Sequence, residues 1–296
     1  MRPRVELDAG HVLAFMAGLS FAANDVMTRI LSRDVERETL VAISLLVGSP
    51  FLWIAGLAKG ETIQGIEPVM VFAAIGLLHF GLARYLFYTA IAGLGAASAA
   101  ITTSPVPVLS SMIAWAALGE ELSIYDLAGI ILVAAAILIV GLKPSGRPLQ
   151  GVSSLKGLAA GLAASLIFSI TSVLVRGATT EYNIAVLGAA LSYTAAIPVI
   201  LALARSRGSS LLVRRRDAIG VLAYVSGIIV ATAQLLRYEA LSRIPVAEAV
   251  ILISLFPFHA MLLSKLLSDM GEEDVRASHV LAGVLAVAGV ILNVLG

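Results

Sequence analysis

Apolar residues in this chain run in long unbroken stretches instead of alternating with polar ones. Ten stretches of 19 to 25 residues stand out, at 11–31, 39–58, 68–91, 94–118, 123–142, 155–176, 184–204, 217–241, 246–267 and 277–295. Each is close to the roughly 20 apolar residues that a helix needs to cross the hydrocarbon core of a bilayer. A transmembrane barrel would instead show strands of about ten residues with alternating polarity, whereas the run from Leu127 to Val140 is apolar on every face. The pattern predicts an all-α membrane protein with ten transmembrane helices. Arg2 and Arg4 ahead of the first stretch resemble the start of a signal peptide, but the apolar run is too long and nine more come after it, so a retained first helix is expected.

Composition excludes the alternatives. Hydrophobic residues make up 59% of 296 and charged residues 13%, about half the charged share of a soluble domain. Such a chain cannot cover its surface in water. Disorder needs low hydrophobicity and high net charge, and the net charge is +1. The absence of cysteine rules out disulfides, thiolate catalysis and cysteine-ligated metals. Nothing in the charge pattern points to nucleic acid.

The connectors hold most of the charge and the turn residues. One of them, Lys143-Pro144-Ser145-Gly146-Arg147-Pro148, divides the ten stretches five and five. The halves echo each other. Phe21-Ala22-Ala23-Asn24-Asp25-Val26 with Arg29 answers Phe168-Ser169-Ile170-Thr171-Ser172-Val173 with Arg176, at an offset of 147. Tyr88-Thr89-Ala90-Ile91 answers Tyr238-Glu239-Ala240-Leu241, and Ser104 with Pro107 answers Ser254 with Pro257, at 150. Gly119-Glu120-Glu121 and Leu127-Ala128-Gly129 recur as Gly271-Glu272-Glu273 and Leu281-Ala282-Gly283, at 152 and 154. A colinear series of this kind marks a duplication. Because the unit has five spans, the second copy enters the membrane from the opposite side. The expected organisation is a first repeat at 1–142, a connector at 143–154 and an inverted repeat at 155–296, the design of many secondary transporters.

Ten spans in two halves, Phe-x-x-Asn-Asp-Val-x-x-Arg in the first span, Ser-Pro-Val-Pro in the fourth, the Gly-Glu-Glu connector and the Leu-Ala-Gly opening of the fifth resemble the EamA-type members of the drug/metabolite transporter superfamily. The resemblance runs over nearly the whole chain. It implies a secondary transporter of small metabolites such as amino acids, often an exporter, in the cell membrane as a multi-pass protein. Glu248 departs from the repeat, standing where the first half has Ser98.

Two ionisable residues lie deep in the stretches. Asp25 is six residues from the end of the first and Arg84 seven from the end of the third, about 9–10 Å below one surface at about 1.5 Å per residue. An ionisable group inside a span is a functional candidate by default, and a mutual ion pair that fixes packing is the alternative. The repeat aligns them with Ser172 and Gln234, so the second copy is expected to keep polarity and lose charge. Thr102, Thr103 and Ser104 with Pro105 and Pro107, and Ser254 with Pro257, fall near the middle of the fourth and ninth stretches. Proline there predicts helix kinks whose freed carbonyls are met by hydroxyls or by a cavity.

His79 and His259 are either proton carriers or hydrogen-bonded packing residues. Asn24, Tyr88, Thr171 and Tyr238 complete the candidate substrate or coupling set. Glu248 reads as a solvated interfacial acid, and Arg237, Glu239 and Arg243 as the rim of the ninth stretch's entrance. Gly157, Gly161 and Ser165, at four-residue spacing, predict close helix packing.

No phosphate loop, His-Glu-x-x-His or histidine cluster occurs. No catalytic residues, metal or cofactor are therefore expected. The expected partners are a small-molecule substrate and the lipid bilayer, and the chain is compatible with a monomer or a homodimer. A passive channel and an intramembrane enzyme are the alternatives to a carrier. Lysine and arginine placement favours odd-numbered connectors in the cytoplasm, while the resemblance implies both termini inside.

Overall fold

The computed structural model describes residues 8–31, 34–94, 102–141, 152–209, 218–266 and 277–295. The connector from Lys143 to Pro148, the Gly271-Glu272-Glu273 element, and the side chains of Arg29 and Pro257 lie outside the described residues. All regular structure among the described residues is helical. The first half contains α1 (Ala9–Leu31), α2 (Arg37–Ala58), and α3 (Glu67–Gly76), which runs through a π-helical turn (Leu77–Ala83) into α4 (Arg84–Leu94). It ends with α5 (Val106–Leu118) and α6 (Ile124–Gly141). The second half contains α7 (Val152–Tyr182), α8 (Ala185–Ser206), α9 (Ala218–Arg243), α10 (Val246–Ile253), α11 (Phe256–Leu266) and α12 (Ala277–Leu295). Among the described residues five helical segments are long and apolar enough to cross a membrane: Glu38–Ala58, Glu67–Ala90, Leu155–Tyr182, Ala185–Ser206 and Ala218–Arg243.

Helices of one half pack mainly on helices of the other. The principal partners are α1 with α9, α4 with α7, α2 with α8, and α6 with α12. Exchanging each helix for its counterpart in the other repeat turns the first pair into the second and leaves the other two unchanged, as a two-fold relation requires. The pairs are antiparallel. Gly48 faces Tyr193 while Gly56 faces Leu187, and Asn24 meets Ser226 while Gly10 meets Ile244. Since α2 and its own repeat counterpart α8 run in opposite directions, the second half is inverted.

The close approaches explain the small residues. A Cβ on Gly76 would fall inside contact distance of the Ser192 carbonyl, and one on Gly161 would run into the Thr102 side chain. Gly157 lies against Gly93 and Leu94, and Ser165 donates to the Thr102 carbonyl. The stripe Gly157, Gly161, Ser165 is thus the face that α7 presents to the first half, a packing role as its spacing predicts.

Pro50 and Pro198 lie inside continuous helices, whereas turns interrupt the fourth and ninth stretches at their prolines. In the fourth, a turn at residues 102–105 precedes α5, whose N-cap is Pro105. In the ninth, Ser254 and Leu255 form a turn between α10 and α11. Serines meet carbonyls around the first break, with Ser165 donating to Thr102, Ser169 to Val106 and Ser111 to Pro107.

Gly76→Ala is expected to lower stability by about 1–3 kcal/mol through backbone overpacking. Gly283→Ala, where nothing lies within 4 Å of the added Cβ, is expected to raise helix stability by about 0.5–1 kcal/mol. Thermal unfolding of the two variants in the same detergent checks both signs.

Candidate functional site

The polar centre of the molecule is built on the π-helical turn, α7, α8 and α9. A π turn takes one more residue than an α turn and re-aims the helix beyond it; His79 lies inside it and Arg84 stands at its exit. Thr171 Oγ1 lies 3.0 Å from the Phe168 carbonyl and 2.8 Å from His79 Nδ1, the direction of the second bond being set by the ring tautomer. Ser172 donates to the Phe168 carbonyl and accepts from Arg237 Nη2 at 2.9 Å. Arg237 Nη1 reaches Gln234 Oε1 at 3.4 Å, and its Cζ stands 5.7 Å from the Tyr238 ring centroid. Tyr238 donates to Ser192, which donates to the Phe72 carbonyl. Arg84 lies 5.4 Å over the Phe80 ring, and that ring packs edge-on against His79 at 4.6 Å and Tyr193 at 4.7 Å.

Five of the expected residues (His79, Thr171, Ser172, Gln234 and Tyr238) therefore meet in one cluster, with Arg84 at its edge. The expectation that the second repeat loses charge is corrected. Arg237, three residues beyond Gln234, supplies it from a position only 6% exposed. Arg237 and Glu239 are not a solvated rim, because the helix continues to Arg243 and Arg237 leans back toward Gln234, into the membrane.

The other expected residues lie elsewhere. Asn24 accepts from Ser226 on α9, and Asp25 beside it is exposed. Among the described residues Asp25 and Arg84 form no ion pair, since α1 packs on α9, α10 and α11 while α4 packs on α7. Equal depth did not bring them together. His259 packs edge-on against Phe15 at 4.7 Å, with its Nδ1 enclosed and without a partner among the described residues. Thr102, Ser104 and Ser254 are buried at the two helix breaks, and Thr103 and Tyr88 are half-buried.

Polar clamps join the two halves at the face where α1 begins, here the first face. Glu120 of the Gly-Glu-Glu connector accepts from Arg176 Nε at 3.2 Å and from the Val246 amide at 2.8 Å. Arg176 also donates to the Leu241 carbonyl. Glu61 accepts from the amides of Val186 and Leu187, satisfying donors at the N-terminus of α8. Lys59 bridges Glu61 and Glu239, and Glu239 also holds Arg243. Glu248 is half-buried rather than freely solvated. It pairs with His11 Nε2 at 2.8 Å, while His11 Nδ1 accepts from the Asp8 amide. Sequence reasoning missed the Glu120 and Glu61 caps because their partners are backbone amides far along the chain.

This architecture, a helical membrane protein of two interlocked and inverted halves with a polar centre between them, defines the class. The chain belongs to the EamA-like transporter family, whose model matches twice, at residues 8–142 and 155–295. A search of the curated proteins finds no match. Among solved structures 29 chains match. One, described only as "Crystal structure of protein", shares 19% identity with a TM-score of 0.80, over 97% of this chain and 99% of that one. At that identity the likeness speaks for the fold.

Glu120→Gln removes the one charged partner that Arg176 has among the described residues and loosens the first-face clamp. With no native cysteine, Ser172→Cys is a clean reporter, and its labelling by a polar maleimide in detergent is expected to accelerate about tenfold in the Glu120→Gln background.

Lys59 lies beyond the end of its span, and its burial acts to lower the pKa. Glu239 and Glu61 outweigh that effect and hold the ammonium above the ordinary lysine value. A raised lysine pKa contributes stability that is complete below the unfolded value and lost as pH rises through the folded one. The stability difference between wild type and Lys59→Met is expected to stay level to about pH 10 and to shrink above it, as melting curves across pH will register.

Proposed function

We propose that the chain is a secondary transporter that exports a small metabolite, an amino acid or a similar solute, across the cell membrane by alternating access between its halves. The observation that carries this reading is the pairing of a buried polar cluster between the halves with polar clamps that join the halves outside it, Glu120 and Glu61 at the first face and the Glu38–Arg207 ion pair at the other. A carrier needs a site that opens to one side at a time. Clamps made of hydrogen bonds and ion pairs between halves can break and re-form without exposing an apolar seam. A continuous pore would have no use for them.

Purified protein in proteoliposomes is expected to take up labelled solute with saturation, faster when unlabelled solute is trapped inside. Flux that rises linearly with concentration and ignores trapped solute would instead mark a channel.

A further inference from the structure

Two guanidinium groups stand inside the membrane-spanning part of the protein, and among the described residues neither pairs with a carboxylate. Arg237 is committed to two neutral groups, Ser172 and Gln234. Arg84 rests on Phe80. The acid nearest along the chain, Glu239, is held by Lys59 and Arg243. Asp25 belongs to α1, which packs on α9 and on α10 and α11, whereas Arg84 belongs to α4, which packs on α7. Asp25 also neighbours Asn24, which is level with Ser226 on α9, so it lies about 16 Å along that helix from Arg237 at about 1.5 Å per residue.

The two cations converge because the repeats are inverted. Side chains on a helix lean toward its N-terminus. Arg84 leans back over Phe80, four residues earlier, and Arg237 back to Gln234, three residues earlier. Their helices run in opposite directions, so both lean toward the midplane. A chain of contacts joins them: Phe80 carries Arg84 and packs on both His79 and Tyr193, and His79 meets Thr171, the neighbour of the Ser172 that Arg237 holds. Tyr193 is 1% exposed, and its hydroxyl has no partner among the described residues. The site thus holds two like charges, an unused hydroxyl, and the rings of Phe80, Phe168, Tyr193 and Tyr238.

An isolated arginine in hydrocarbon is costly, and two that repel each other cost more. Guanidinium groups match the planar oxygens of a carboxylate. We propose that Arg84 and Arg237 are the anion-binding residues of the central site and that the transported solute is a small organic anion, its carboxylate held between them and its apolar body against the aromatic rings. This rests on the transporter reading above and narrows its substrate class.

The test compares wild type with Arg84→Gln, Arg237→Gln and the two arginine-to-lysine variants, using benzoate, succinate and glutamate as anions, glucose as a neutral probe and putrescine as a cation. In detergent, at least one anion is expected to raise the wild-type melting temperature saturably, with no rise from glucose or putrescine. Each glutamine variant is expected to weaken the anion effect about tenfold or more while melting no lower than wild type without anion, since an unpaired like charge has gone. The lysine variants are expected to keep part of the effect. The proposal is overturned if no anion protects, if glucose or putrescine protects equally, or if the glutamine variants lose stability without anion while the lysine variants fail to restore it. Saturable proteoliposome flux of glucose or putrescine, with none of the anions, removes the proposal and leaves the transporter reading standing. Anion protection without flux of any solute leaves the anion site standing and overturns the transporter reading, and with it the claim that the anion is transported.

Discussion

A guanidinium enclosed in a membrane-spanning helix has no water to satisfy its five donors, so the protein or a ligand must do it. Arg237 meets that demand with Ser172 on the neighbouring α7 and Gln234 on its own helix. Ser172 accepts from it because a guanidinium can only donate, and Thr171 beside it meets His79 at 2.8 Å. One turn of α7 therefore organises the polar groups of three helical elements. Replacing any member by an apolar residue would leave a donor or acceptor enclosed without a partner, which in so dry a setting is the expensive outcome.

The same economy of polar groups shapes the rest of the molecule. The apolar faces are nearly equivalent to lipid as packing surfaces, so helix association depends on close backbone approach and on hydrogen bonds. Gly48 against Tyr193, Gly56 against Leu187 and Gly76 against Ser192 supply the approach. The carboxylates of Glu61 and Glu120 supply the bonds at the first face, each taking backbone amides of the other half. Packing is tight within the membrane and polar at its edge, where water can replace a clamp when it parts.

The two-fold relation is kept in the backbone and relaxed in the chemistry. Arg84 aligns with Gln234, yet the second half still carries a cation, moved three residues to Arg237. The π-helical turn lies only on the first side, where the corresponding part of α9 continues as α-helix. A duplicated scaffold can thus place its charges unequally about the midplane while keeping the helix pairing between the halves.

Much of this was legible in the residues themselves. Apolar run length set the helices, because a bilayer demands a fixed span. The offsets of 147 to 154 exposed the duplication, and an odd number of spans its inversion. The small-residue stripe on α7 and the serines near Thr102 were readable as packing and as hydroxyls for freed carbonyls. Lateral neighbours were not. Depth is one coordinate, and Asp25 with Arg84 shared it while belonging to helices that never pack side by side. Arg237 looked like rim because its distance from the predicted end of the span is small; the direction in which its side chain leans, and the acid that Lys59 and Arg243 take from it, exist only once the helices are assembled. The sequence by itself determined an all-helical membrane protein built from two repeats, since both come from one-dimensional pattern. Only the tertiary structure decided which polar groups meet, because in a bundle that choice is made by the rotation and pairing of helices, which no spacing along a single chain records.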